Sequence, residues 1–213
     1  MAQRYSNGGR LLRLPPVARG DADGRRRPLL LRIIIETPRG SRNKFDYDEE
    51  LDLFKLGGVL PAGAVFPFDF GFVPSTTGGD GDPLDMLVLM EEAAFTGCLV
   101  EARLIGVIEA EQTERDGETT RNDRLVAVAA AARNLRDVSS LSQLSENLLD
   151  EIEHFFVSYN EMKGKRFEPL ARSGPERARE LIEEGARRFR AAERKAAARK
   201  SRKGAGGASK KRR

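Results

Sequence analysis

Three prolines in fourteen residues, Pro61, Pro67 and Pro74, with glycines between them, keep "LPAGAVFPFDFGFVP" (60–74) from forming a helix or a long strand. A chain of this kind advances in short extended pieces, bent repeatedly around something. Its surroundings agree. "LLLRIIIETP" (29–38) is a β-branched run stopped by Pro38, which predicts a buried strand, and "RGSRNKFDYD" follows as a turn and a second, alternating strand. "PLDMLVLMEE" and "CLVEARLIGVIEAE" are apolar enough to be covered on both faces. In "RDGETTRND" the pair Asp116-Gly117 predicts a hairpin turn, with "RLVAVAAAA" as the returning strand. Five or more short strands separated by turns favour a small closed barrel.

After about residue 138 the period changes. Leu144, Leu148, Leu149, Ile152, Phe155, Phe156, Tyr159 and Met162 recur at helical spacing and predict an apolar helical stripe. "SGPE" (173–176) has the form of a capping box, with Ser173 as N-cap and Glu176 at N3. A second helix is therefore expected from Gly174, fraying into the Ala/Lys/Arg tail. There is no internal repeat and no linker to a second domain. The expected fold class is α+β, one barrel with two C-terminal helices on it.

Charge divides the chain more sharply than the overall +4 suggests. Residues 1–32 carry a net +6 and residues 186–213 a net +12, which leaves −14 for the middle. The expected organisation is a basic N-terminal tail over 1–27, a folded domain over 28–190 and a basic C-terminal tail over 191–213. Nucleic acid or another polyanion is expected as a partner only through those tails. The single cysteine, Cys98, cannot make an internal disulfide, and with His154 as the only histidine no zinc site is offered. No apolar run approaches the ~18 residues of a membrane span. A soluble, cytoplasmic protein is expected.

Within "GGDGDPLDMLVL" (78–89), Asp80, Asp82 and Asp85 crowd together between a glycine-rich turn and an apolar run. Like charges at a few ångströms disfavour one another's ionisation unless a cation lies among them. A calcium loop of the EF-hand type is excluded, although Glu91 has the right spacing from Asp80. The position that requires glycine is Asp85, and a strand follows instead of a helix. Turn formation alone would account for Asp80 and Asp82, but Asp85 shares a strand face with Leu87 and Leu89, where an unpaired carboxylate is costly. Closely spaced hard oxygen ligands without His or Cys suit Mg²⁺ or Mn²⁺, and Mg²⁺ usually shares its shell with water and phosphate oxygens. The pattern points to phosphate chemistry.

"ETPRGSRNKFDYD" (36–48), "VFPFDFGFVPSTTGGDGDPLDMLVL" (65–89) and "HFFVSYNEMKGK" (154–165) resemble, in order and approximate spacing, three blocks of the soluble family I inorganic pyrophosphatases. The resemblance implies a five-stranded OB-like barrel with flanking helices, several Mg²⁺ ions, a homo-oligomer, and hydrolysis of pyrophosphate to two phosphates. It further implies metal binding by Asp80, Asp85 and Asp123, and proton acceptance from the attacking water by Asp82. Lys44, Arg124 and Tyr159 would hold phosphate, and Glu36 and Asp46 would support the site. On pattern alone, Tyr159 would be core packing and Lys44 a solvated strand residue.

The same resemblance marks departures. Phe66 and Phe70 stand where the family has tyrosines, Gly58 where it has arginine, and Asp46 where it has glutamate. Gln112 and Asn122 replace two aspartates, with Glu111 and Asp123 beside them. Asn160 replaces a lysine, with Lys163 and Lys165 nearby. An alternative expectation is a binding or regulatory protein that uses the same barrel and its basic tails.

Overall fold

The computed structural model describes residues 11–17 and 30–208, with side chains described as far as residue 199. Its strands are β1 (Leu30–Thr37), β2 (Asn43–Asp48), β3 (Leu53–Val59), β4 (Asp69–Phe72), β5 (Asp85–Leu89), β6 (Leu99–Thr113), β7 (Thr119–Arg121) and β8 (Arg124–Ala129). Helix α1 (Glu146–Glu161), strand β9 (Arg166–Ser173) and helix α2 (Pro175–Ala208) follow.

The strands pair in the order β1-β4-β5-β8-β6, and β6 returns to β1, so five strands close into a ring. The β5–β8 pair is parallel, and the other pairs of the ring are antiparallel. The ring encloses Ile33, Ile35, Met86, Val88, Ile105, Val107 and Leu125, all 0 % exposed. This is the five-stranded α+β architecture expected from the sequence. Because β5 and β8 are apolar along their lengths, both of their faces are covered.

Three elements differ from expectation. "RFEPLARS" (166–173) forms β9 on the free edge of β6, a position that tolerates Pro169. The predicted capping box does not form. Ser173 ends β9, and its hydroxyl donates to Glu109 at 2.7 Å instead of capping α2. Helix α2 runs on through Ala208; its Ala/Arg/Lys-rich stretch is made of strong helix formers, whereas Gly204, Gly206 and Gly207 near its end are not.

Most of the tail expected over 1–27 lies outside the described residues, but residues 11–17 fold onto the ring. Leu11–Arg13 is a 3₁₀ turn, and Val17 bridges Leu31. The β2–β3 hairpin is a separate two-stranded sheet with no ladder to the ring. It leans on β1 through Thr37, whose hydroxyl accepts from the Phe45 amide at 3.1 Å, and through Glu36, which accepts from the Tyr47 amide at 2.9 Å. Among the described residues no helix is long and apolar enough to cross a membrane.

Candidate active site

The segment between β4 and β5 must turn sharply to bring the acidic residues to the start of β5. Gly81 takes φ +96°, which an L side chain rarely adopts. The Asp80 carboxylate accepts from the Asp82 amide at 3.1 Å, and the Gly78 amide donates to the Asp82 carbonyl at 2.6 Å. Thr76 anchors the loop beneath, accepting from the Leu84 amide at 3.1 Å. Asp80 and Asp82 are left exposed at a rim, while Asp85 begins β5 opposite Phe72 with its side chain 24 % exposed.

Across from this rim sit two buried cations. Lys44, on β2, is 8 % exposed. Its Nζ lies 3.2 Å from Glu36, 2.9 Å from Asp46 and 5.1 Å from the Phe70 ring centroid. The Asp46 carboxylate occupies the space over Gly57, where a Cβ would fall 1.6 Å from Oδ2. Arg124, at the start of β8, is 4 % exposed and bonds to both Asp85 and Asn122. Its guanidinium lies 4.9 Å from the Phe156 centroid and 5.2 Å from that of Phe167. Aromatic faces attract cations in this arrangement, and they supply part of what burial removes.

Electrostatics follow from the enclosure. Burial pushes the Asp85 carboxyl up against the opposing pull of Arg124. Asp80, exposed by area but crowded within its loop, is pushed up to about 6 by desolvation and by Asp85. Burial pulls the Lys44 ammonium down, but Glu36, Asp46 and Asp85 together outweigh it and the net shift is upward. Glu36 is raised by burial, with Lys44 opposing.

One cavity of about 730 Å³ gathers Glu36, Lys44, Asp46, Asp80, Asp82, Asp85, Arg124 and Tyr159 along its walls. Among the described residues the buried Tyr159 hydroxyl has no hydrogen-bond partner, nor does Arg124 Nε. Tyr159 stacks on Phe155 and carries Lys163 Nζ 4.3 Å above its ring, so the ring is packed on both an aromatic and a cation.

Asp123 is not brought to this cavity. It accepts from the Ala110 amide at 3.0 Å and from Arg121 at 2.7 Å, and it lines a second space of about 470 Å³. Glu111 lines neither of these cavities.

The substituted positions form a polar chain. Asn122 donates to Gln112 at 3.2 Å, Gln112 donates to Glu114 at 2.6 Å, and Lys165 bonds Glu114 at 2.8 Å. Glu114 was not singled out from the sequence. Its only signal there is a carboxylate two positions beyond Gln112. Asn160 turns its amide back to the Phe156 carbonyl at 2.8 Å. Beside Gly58, which pairs with Lys44, there is open space where a side chain would stand.

Among the described residues no group of three or more His, Cys, Asp or Glu side chains forms a ready cage for a metal. The donor set nevertheless suits a hard cation with a partly open shell, because carboxylates outnumber cationic side chains eight to five around the cavity. An anion entering this space meets net negative charge unless a cation enters with it.

A ring of five strands thus carries one cavity in which an acidic rim and two buried, aromatic-seated cations meet. The family whose model matches residues 33–190 is "Inorganic pyrophosphatase", and the chain belongs to it. An inorganic pyrophosphatase of Halalkalibacterium halodurans is 37 % identical over 163 residues, covering 76 % of this chain and 97 % of the relative. The crystal structure of the Thermus thermophilus inorganic pyrophosphatase superposes with a TM-score of 0.71 at 33 % identity, covering 83 % of this chain and 97 % of that one. One from Neisseria gonorrhoeae gives 0.68 at 33 % identity, covering 76 % and 91 %.

Proposed function

We propose that the cavity hydrolyses inorganic pyrophosphate to two phosphates with Mg²⁺, Mn²⁺ being the nearest substitute, held at Asp80 and Asp85. The observation that carries this reading is the convergence of the acidic loop with buried Lys44 and Arg124 in one cavity, inside a chain of this family. Bound metal ions would neutralise substrate charge and make an attacking water more acidic.

The chain's own residues do the rest. Lys44 and Arg124 hold phosphoryl oxygens, and the unpartnered Tyr159 hydroxyl donates to one of them. Asp82, on the exposed rim, accepts a proton as the water oxygen bonds to one phosphorus and the bridging P–O bond breaks. Glu36 and Asp46 keep Lys44 charged and fixed. Asp123 is assigned no part in this set.

A phosphate-release assay tests the reading: with pyrophosphate and Mg²⁺, two phosphates should appear per substrate, and a chelator should abolish the release. No release in Mg²⁺ or Mn²⁺ would overturn it. A homo-oligomer is part of the same proposal, supported by the exposed apolar Leu53, Leu56 and Phe95, and the molar mass in solution checks it.

A further inference from the structure

The hairpin that carries Lys44 and Asp46 has no strand ladder to the ring, and an isolated two-stranded hairpin is only marginally stable. Besides the Glu36 and Thr37 bonds, it is seated by a small apolar cluster separate from the main core. Ile34 of β1 and Phe72 of β4 meet Tyr47 and Phe54 of the hairpin there, and the cluster's third buried member is Leu12, 7 % exposed. Leu12 also lines the cavity.

The segment bearing Leu12 precedes the family-matched residues 33–190 and is fastened at several points. The Ser75 amide donates to the Leu12 carbonyl at 2.6 Å, and the Ser75 hydroxyl reaches the carbonyls of Leu12 and Leu14 at 3.1 and 2.9 Å. The Arg32 amide donates to Pro16 at 2.8 Å, and Arg13 lies 3.5 Å from Glu193 of α2. Ser75 itself has φ +56°, an uncommon conformation for a residue with a side chain. Its three contacts with the segment hold it there. Ser75 lies five positions before Asp80, so the fastening joins the hairpin wall to the chain leading into the acidic loop.

We propose that Leu11–Pro16 is a strap that sets how the β2–β3 hairpin sits over the cavity, which makes Leu12 and Ser75 positioning residues for Lys44 and Asp46. The strap has no bond to Lys44 and acts through the cluster that seats the hairpin.

The test uses the full chain with three variants. Leu12→Ala removes the apolar anchor, Leu12→Met restores bulk, and Ser75→Gly removes the hydroxyl contacts while suiting the positive φ. In Leu12→Ala, amide hydrogen exchange in β2 and β3 should quicken at least tenfold, with β5 and β8 unchanged. KM for pyrophosphate should rise about fivefold with a smaller change in kcat. Leu12→Met should return both readouts toward wild type, and Ser75→Gly should shift them in the same direction by a smaller factor. The kinetic arm rests on the pyrophosphatase reading and the exchange arm does not, so the two can fail separately. Unchanged hairpin exchange in both Leu12→Ala and Ser75→Gly overturns the strap. So does quickening spread equally over β5 and β8, which would make the segment a general stability element. Should Leu12→Ala fail to fold, Ser75→Gly alone decides.

Discussion

On one side of the cavity Lys44 and Arg124 are 8 % and 4 % exposed, seated on aromatic rings and bonded to named partners. On the other, Asp80 and Asp82 stand exposed on a glycine-rich turn, and among the described residues their side chains make only the bond from the Asp82 amide to the Asp80 carboxylate. The first wall is held by the protein's own groups, apart from the buried Arg124 Nε, which has no hydrogen-bond partner among the described residues. The second is a set of like charges with raised cost, Asp80 being pushed up to about 6 and Asp85 held above its ordinary range by burial. A preorganised cationic wall opposite an acidic rim fits a reaction in which the protein supplies fixed charge and leaves the rim for cations arriving with substrate. Changes at Asp80 or Asp82 should therefore remove chemistry while leaving the fold intact, and changes in the seated wall, or at Asp85, which pairs with Arg124, should move binding and stability together.

The largest effect is expected at the rim. Asp82→Asn keeps shape but removes the proton acceptor, so turnover should fall about 10²-fold or more, within the range for general bases. The melting temperature should hardly move, because the Asp82 side chain is exposed. Steady-state kinetics and a melting curve on the same sample check both halves. Near-normal turnover would take Asp82 out of the mechanism.

Next comes the rim as a cation site. A ligand that binds only the folded state at ~100 times its Kd stabilises by about 2.7 kcal/mol. For a chain of this size that raises Tm by roughly 5–10 °C. Millimolar Mg²⁺ should produce such a rise in the wild type and none in the Asp80→Ala, Asp85→Ala double variant. A rise that survives in the double variant would place the cations elsewhere.

Much of the rim was legible in the sequence because its geometry is local: glycine, aspartate and proline within "GGDGDPLD" dictate the turn. The seated wall was legible only through resemblance. Pattern alone makes Lys44 a solvated strand residue, whereas a separate hairpin folds it over β1 and buries it. Asp123 is suggested only by its nearness to Asn122, and adjacent residues need not reach the same set of spaces. Asn122 lines both spaces, and Asp123 lines only the second. Leu12 was hidden because the charge of the surrounding arginines dominated the short apolar run "LLRL" (11–14). For β9, Pro169 concealed an edge strand that is fixed only by its long-range pairing with β6.

The two phenylalanines sharpen the comparison at a smaller scale. Phe66 is 1 % exposed and hemmed in by Phe155 and Tyr159, whereas Phe70 lies beneath Lys44 and Arg124. Phe66→Tyr should bury an unpartnered hydroxyl and destabilise by ~1–3 kcal/mol. In Phe70→Tyr the hydroxyl would stand among the phosphate-binding groups, where a bond to a charged group contributes ~1.5–3 kcal/mol. The expected result is about a tenfold gain in kcat/KM at fixed Mg²⁺, with little change in Tm. Loss of stability without kinetic gain in Phe70→Tyr would show that both rings serve packing alone.

The smallest effect is expected farthest from both walls. Helix α2 contributes Ala178, Ile182 and Ala186 to the packed interior, but residues 191–199 are exposed on every side. One link from that stretch back to the strap is the Arg13–Glu193 pair, whose side chains are 53 % and 46 % exposed. Exposed pairs of this kind contribute ~0–1 kcal/mol and weaken with salt. Deleting residues 191–213 should therefore leave pyrophosphate hydrolysis within a factor of about two. The same deletion removes most of the C-terminal positive charge, so any binding to nucleic acid should weaken and lose much of its salt dependence. Hydrolysis at low and high salt, with and without the tail, separates the two contributions. A large loss of hydrolysis only at low salt would tie the tail to the cavity through long-range charge. A loss independent of salt would mean that Glu193 matters to the strap, and through it to the hairpin wall, far more than an exposed ion pair should.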